Sequence, residues 1–334
     1  MSVEIIAEAG VNHNGDLEKA KKLIYEASLA GANYIKFQSF ITEDIISKKA
    51  PKAEYQKIDN SDQETQYDMV KKLELSKSMH FSILKHCKKN NINFLSTAFD
   101  IKSFIFLKNQ MKIKKIKIPS GEITNLPFLR YLGKQKLPIL LSTGMSTLKE
   151  IDSAVNILLK SGSNIEKLTI LHCNTSYPTP YIDANINAML SIKKKFGTKV
   201  GYSDHTPGIE ASIAAVAIGA ETIEKHFTLN KNLKGPDHKA SLSLKELRQL
   251  IKSIRNTEKL MGTGLKKPSK SEYINITVAR KSIMAARKIK IGEIFTKDNL
   301  ICKRPGNGIS PMLWDKVIGK KSKFNFNKDE CIKL

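Results

Sequence analysis

The sequence predicts a (β/α)8 barrel followed by a small β-rich domain, and three observations carry that prediction. Eight short apolar runs alternate with amphipathic segments, as strands and helices do around a parallel sheet. Nearly every run ends in polar or charged residues, where barrel enzymes gather their chemistry. After Met261 the 334-residue chain changes composition to GTGLKKPSKSE, with the Gly, Pro and Ser of a linker. The expected organisation is a barrel over 1–262, a linker over 263–276 and a second domain over 277–334.

The strands are read at Glu4–Ala9, Tyr34–Gln38, Asn93–Thr97, Lys115–Pro119, Ile139–Thr143, Leu168–Cys173, Val200–Ser203 and Thr222–Phe227. Amphipathic segments between them include Leu17–Ala30, with Asp16 as its N-cap, Ser78–Asn90, Thr147–Ser161, Gly208–Ile218 and Leu244–Met261. The polar, lysine-rich stretch from Thr42 to Leu75 is too long for a simple connection and reads as an insertion, either a lid or a surface excursion. Beyond the linker, ARKSIMAA reads as strand and Pro-Gly-Asn-Gly as a turn. A domain that small is expected to pack on a barrel, its own or a partner's.

Composition narrows the function. The hydrophobic fraction of 41% suffices for a large core, and the net charge of +24 is mostly lysine. That basicity fits nucleic acid or an anionic substrate. The lysines nevertheless spread over helical faces, without the aromatic interleaving that stacks bases, so no nucleic-acid partner is expected. The cysteines at 87, 173, 302 and 331 form no C-x-x-C pair, which argues for a reducing compartment and against structural zinc. The N-terminus lacks a basic region before an apolar stretch, and no apolar run approaches a membrane span. A soluble cytoplasmic protein is expected.

The chemistry-bearing residues recur at the strand ends. Strand one offers Glu8, followed by Asn12, His13 and Asn14; strand two offers Lys36 and Gln38; strand three, Ser96 and Thr97. Strand four gives Lys117, Ser120 and Glu122; strand five, Ser142, Thr143 and Gly144; strand six, His172, Asn174, Thr175 and Tyr177. Strands seven and eight end in Ser203-Asp204-His205 and Glu224-Lys225-His226, and a loop then supplies Lys234, Gly235, Asp237 and His238. Lysines inside barrel strands are costly unless paired or facing an anion. Lys36 and Lys117, with Ser142, Thr143 and Ser203, can cradle a phosphate group, or they can form ion pairs with Glu8 or Glu122. Lys117 or Lys225 can also form a Schiff base. His205 and His226 either share a borderline divalent ion such as Mn²⁺ or hydrogen-bond within the core.

Taken together, IAEAGVNHNGD, YIKFQSF, FLSTAFD, KIKIPSGEITNLP, ILLSTGM, LHCNTSYPTP, GYSDHT, IEKHFTLNKNLKGPDHKAS and KRPGNGISP resemble the bacterial sialic acid synthase family, in family order and over almost the whole chain. The C-terminal segment resembles an antifreeze-like (SAF) domain. The resemblance implies condensation of phosphoenolpyruvate with an N-acylated hexosamine, usually N-acetylmannosamine, releasing phosphate and a nine-carbon keto acid such as N-acetylneuraminate. It implies that His205 and His226 hold a divalent metal, Mn²⁺ first and Mg²⁺ or Co²⁺ otherwise. Lys36, Lys117, Ser142, Ser203 and Ser120 would then hold phosphoenolpyruvate, and Glu8 would position or deprotonate water. Gln38, Glu122, Tyr177 and Asp237 would contact the sugar. Arg304 would reach from the C-terminal domain into the partner subunit's site, making a domain-swapped homodimer. Ser176 stands where several relatives carry an acidic residue, beside the implied sugar pocket. The alternative acceptor is a diacetamido hexose giving legionaminic acid; a Schiff-base aldolase is a more distant alternative.

Overall fold

In the computed structural model, which describes residues 2–52, 56 and 64–334, eight parallel strands close into a barrel. In chain order they are β1 Glu4–Gly10, β2 Tyr34–Ser39, β3 Asn93–Ala98, β4 Ile116–Ile118, β5 Ile139–Ser142, β6 Leu168–Cys173, β7 Lys199–Asp204 and β8 Thr222–His226. Each lies within a residue of its expected span at either end. β8 pairs back onto β1, with Ile6 opposite Glu224 and Glu8 opposite His226, so the ring has no open edge.

Helices cover the outside. They are α1 Leu17–Ala30, α2 Thr42–Ile45, α3 Gln66–Lys71, α4 Lys77–Lys89, α5 Ile101–Asn109, α6 Leu126–Gly133, α7 Leu148–Lys160, α8 Ala188–Phe196, α9 Glu210–Ala217 and α10 Leu244–Leu260. Local chemistry sets their starts. Asp16 accepts from the Glu18 and Lys19 amides at the head of α1, and Thr147/Glu150 and Ser243/Glu246 form capping boxes for α7 and α10. Their apolar faces bury Leu23, Ile24, Ile151, Leu158, Leu247 and Ile254 against outward-facing strand residues such as Ile5, Ile35 and Phe37.

The strand period of two splits each strand between this outer core and the barrel interior. Inside, Ile6, Leu95, Leu140 and Leu171, with Tyr34, form an apolar plug. Two residues further along their strands, Glu8, Lys36, Thr97 and Ser142 occupy the next layer, where Lys117, Ser203 and Glu224 join them. Polar groups therefore collect at the C-terminal mouth of the barrel, above a dry base.

The insertion between β2 and β3 carries α2 and α3; residues 53–55 and 57–63 of that segment lie outside the described ones, so the lid expectation is addressed only by its two ends. The chain divides into compact units at Met1–Gly262 and Thr263–Leu334. The second unit is built on an antiparallel pair, β9 Ser282–Ala285 and β10 Leu300–Lys303. Its core includes Ile283, Ile289, Phe295, Leu300, Val317 and Phe326. Short helices α11 Tyr273–Ala279 and α12 Trp314–Val317 accompany the pair. The first of these starts inside the stretch expected to be linker, where YINITVA carries no glycine or proline to prevent a turn of helix.

Candidate active site

Four charged side chains form the floor of the barrel mouth, each no more than 4% exposed. Lys36 Nζ lies 2.8 Å from Glu8 Oε1 and 3.5 Å from Glu224 Oε1. Lys117 Nζ donates to both Glu224 oxygens, at 2.8 and 2.9 Å. Ser203 Oγ also donates to Glu224, and Lys36 donates to Thr97 Oγ1. The lysines are thus ion-paired, with Glu8 as one partner. Glu122 is not the other; it accepts from Asn125. The remaining partner is Glu224, two residues before His226 on β8 and so on the same strand face.

Electrostatics divides the four groups. Burial raises the Glu224 carboxyl, but Lys117 and Lys36 outweigh it and hold Glu224 well below the usual carboxylate range. Glu8 has the opposite balance: burial exceeds the help of Lys36 and pushes it up to about 7. Burial pulls Lys117 down despite Glu224, whereas at Lys36 the attraction of Glu224 and Glu8 overcomes burial and raises it. Three buried atoms here, Glu8 Oε2, Ser142 Oγ and His226 Nδ1, find no hydrogen-bond partner among the described residues. Such atoms await a ligand or water.

The two imidazoles stand side by side above this floor, ring centroids 5.5 Å apart. His205 Nδ1 bonds the Asn174 carbonyl oxygen, which leaves Nε2 to meet the Tyr177 hydroxyl at 3.1 Å. His226 Nδ1 lies 3.9 Å from Asp237 Oδ2. Burial lowers His205 to about 4 and, with His205 nearby, His226 well below its ordinary value, while it raises Asp237 to about 6. Neutral imidazoles are the metal-binding form. The bulge of β1 brings Gly10 against them at φ +52°: a Cβ there would sit 3.1 Å from His226 Cε1. Among the described residues no set of three His, Cys, Asp or Glu side chains could hold an ion unaided. Two neutral imidazoles, one with an orphaned nitrogen beside a carboxylate, fit a borderline divalent ion that completes its shell with water or substrate oxygen.

The loop carrying Asp237 is stitched to the first strand's turn. Asn12 donates to the Phe227 carbonyl oxygen and Ser241 Oγ, Asn14 donates to the Lys234 carbonyl oxygen, and His238 bonds Asn14 and Thr228. The His-Asn-Gly turn is therefore a fastener, and His13, lowered to about 4 by burial, accepts from the Gly15 amide. His172 likewise bonds the Ala184 carbonyl oxygen.

The charged floor and the two imidazoles surround one cavity of about 680 Å³. Glu8, Lys36, Gln38, Lys117, Ser120, Glu122, Tyr177, Ser203, His205, His226 and Asp237 line it, and Glu224 lines it with them. Ser142, in the same layer as Glu8 and Lys36, is buried and is not among the lining residues. Lys225 faces out of the barrel, held by Asp204 and the Thr206 carbonyl oxygen, and so takes no part in Schiff-base chemistry in this cavity. Arg304 lies in the second unit, exposed, with Nε donating to the Ala279 carbonyl oxygen. The opposite wall was not foreseen: Phe40, Ile45, Ile46, Met69, Val70 and Leu73, all from the end of β2 and the insertion.

Sequence and structure comparisons give the family. The NeuB family profile matches residues 23–266, and the SAF domain profile matches 280–334. The chain belongs to the NeuB family. It is 53% identical over 329 residues to an N,N'-diacetyllegionaminic acid synthase of Campylobacter jejuni, covering 98% of both chains. It is 43% identical to the enzyme of the same name in Legionella pneumophila, over 98% of this chain and 92% of that one. Among solved structures, the N-acetylneuraminic acid synthetase of Leptospira borgpetersenii superposes with a TM-score of 0.72 at 37% identity, covering 83% of this chain and 90% of that one. As a NeuB-family synthase the chain is an enzyme, of the class that condenses phosphoenolpyruvate with a sugar. No described helix is long and apolar enough to cross a membrane.

Proposed function

We propose that this NeuB-family enzyme condenses phosphoenolpyruvate with a diacetamido hexose and water, giving a legionaminic acid-type nine-carbon keto acid and phosphate. The observation that carries this reading is the 53% identity, over 98% of both chains, to a diacetyllegionaminic acid synthase. It favours the diacetamido acceptor over N-acetylmannosamine, the leading expectation from motifs alone. The cavity supports it, since one wall is largely apolar and can receive a second acyl group.

In this reading Lys36 and Lys117 receive the anionic groups of phosphoenolpyruvate, with Ser120, Ser142 and Ser203 as hydroxyl donors. Glu224 keeps both lysines in place and charged. Glu8, poised near neutrality, can take up a proton as the anion arrives beside Lys36, or give its free oxygen to the attacking water. The methylene carbon of phosphoenolpyruvate bonds to the acceptor's aldehyde carbon, water adds at the former enol carbon, and the C–O bond to phosphate breaks. A divalent ion held by His205 and His226 would supply Lewis-acid polarisation of that aldehyde, Mn²⁺ being the first choice and Mg²⁺ or Co²⁺ the others. Gln38, Glu122, Tyr177 and Asp237 orient the sugar. Arg304 acts in trans in a domain-swapped homodimer, and the four cysteines, all free, suit a reducing cytoplasm.

Phosphate release tests the reading: phosphoenolpyruvate with the diacetamido hexose or N-acetylmannosamine, before and after chelation. Expected are faster turnover of the diacetamido sugar, loss in chelator and recovery with Mn²⁺. Equal or better turnover of N-acetylmannosamine removes the acceptor assignment, and undiminished turnover after exhaustive chelation removes the metal.

A further inference from the structure

The apolar wall is a built surface. In α3, Gln66, Met69 and Val70, with Leu73 just beyond its end, stand at i, i+3, i+4 and i+7, one helical stripe, and all four line the cavity. Ile45 and Ile46 continue the surface from the end of α2. Val11, Phe40 and Leu73, which line the cavity too, form a small buried cluster against which Ile45, Val70 and Phe99 pack. The helix is short, but its outer side is pinned. Thr65 and Asp68 make a capping box, Lys71 pairs with Glu43 at 2.9 Å and Glu74 at 3.1 Å, and Glu74 accepts from the Thr42 amide and hydroxyl. The wall thus shares one cavity with the floor of lysines and carboxylates and the imidazoles above it, and the two parts suit different parts of one acceptor.

We infer that Met69 and Val70, with Ile45 and Ile46, form the subsite for an acetamido methyl group of the acceptor and set the preference for a doubly acylated sugar. The inference rests on the proposed diacetamido acceptor and names the residues that select it. An acetamido group puts a methyl against Met69 and Val70, where a hydroxyl would lose its water against apolar side chains. One methyl-sized contact in an apolar pocket discriminates by roughly 10–200-fold, which is enough to choose between the two acceptors. The floor groups bind phosphoenolpyruvate and the reacting carbons alike for both sugars, so they cannot make that choice.

The test compares wild type with Val70→Thr, which keeps the shape and adds a hydroxyl, and Met69→Gln, which keeps the length and adds an amide. The measurements are kcat/KM for the diacetamido hexose and for N-acetylmannosamine, KM for phosphoenolpyruvate, and the thermal midpoint. The expected result is a fall of about tenfold in the ratio of the two acceptor efficiencies, with KM for phosphoenolpyruvate nearly unchanged and the midpoint lowered by only a few degrees. A ratio unchanged in both variants, or a parallel loss with both sugars, overturns the subsite while leaving the acceptor assignment standing. A wild-type enzyme that does not prefer the diacetamido sugar overturns the acceptor assignment, and the subsite with it.

Discussion

The floor and the wall of the cavity are made by different kinds of structure. The floor is supplied by strands of a closed barrel, each contributing a residue at a fixed height, and its groups are buried and mutually bonded. The wall is supplied by an insertion held from outside by ion pairs and one capping box. Barrel strands fix chemistry common to every acceptor. The insertion can change without disturbing them, so it is the natural place for specificity.

That contrast predicts unequal consequences for single substitutions. Glu224→Gln is expected to have the largest effect. It leaves Lys117 and Lys36 buried with too little negative charge, and losing one partner of a buried pair costs about 3–5 kcal/mol of stability, read by urea denaturation. Val70→Thr, on the half-buried wall, is expected to cost about 1 kcal/mol. Equal losses for the two variants would break the distinction between floor and wall.

Glu8 sharpens the comparison through pH. Its folded-state value of about 7 lies above the ordinary 4.5, so the native state binds this proton more tightly than the unfolded chain does. The associated stability is fully present below pH 4.5 and is lost as pH rises through about 7. The buried histidines act in the opposite sense, since their depressed values cost stability as pH falls below 6.5. The difference between wild type and Glu8→Gln isolates the carboxyl: wild type should lose on the order of 3 kcal/mol relative to the variant between pH 4.5 and 7.5. A flat difference curve would show that Glu8 sits in a wetter, less perturbed place than its burial indicates.

The floor was largely legible in the sequence, because the strand period puts chemistry at countable positions. Lys36 and Lys117 inside apolar runs demanded a partner or an anion, and the paired strand ends pointed to His205 and His226. Glu224 shows the limit: its spacing from His226 put it on the right face, but which carboxylate meets which lysine depends on the register of β8 against β1. The wall was hidden for a related reason. Met69 and Val70 sit in a lysine-rich stretch whose apolar stripe spans barely two turns, too short for periodicity to stand out. Nothing local says that this stripe faces the barrel mouth; the packing of Val70 and Leu73 with Val11, Phe40 and Phe99 decides that.

A third prediction concerns the metal pair. His205→Ala should weaken Mn²⁺ binding to the isolated enzyme by about a hundredfold or more, measured by calorimetry without substrate. The thermal midpoint should move little, because the ring's other bonds are to one carbonyl oxygen and the Tyr177 hydroxyl. Undiminished Mn²⁺ affinity would return the two histidines to a hydrogen-bonding role in the core.

The smallest effect is expected at the outer support of the wall. Glu74 is 24% exposed and joins α2 to α3 through Thr42 and Lys71. Partly exposed ion pairs contribute little to stability, so Glu74→Ala should leave the urea midpoint nearly where it was. Its three hydrogen bonds nevertheless tie the start of α2 to the end of α3, the helix that carries Met69 and Val70. Loosening them should raise KM for the acceptor about threefold, since exposed pairs of this kind are individually weak, and leave KM for phosphoenolpyruvate untouched. If both KM values rise together, the insertion bears on the charged floor as well, and the two halves of the cavity are not independent. If only the acceptor responds, a substitution three residues beyond the end of a six-residue helix will have altered sugar binding without touching the groups that carry out the condensation.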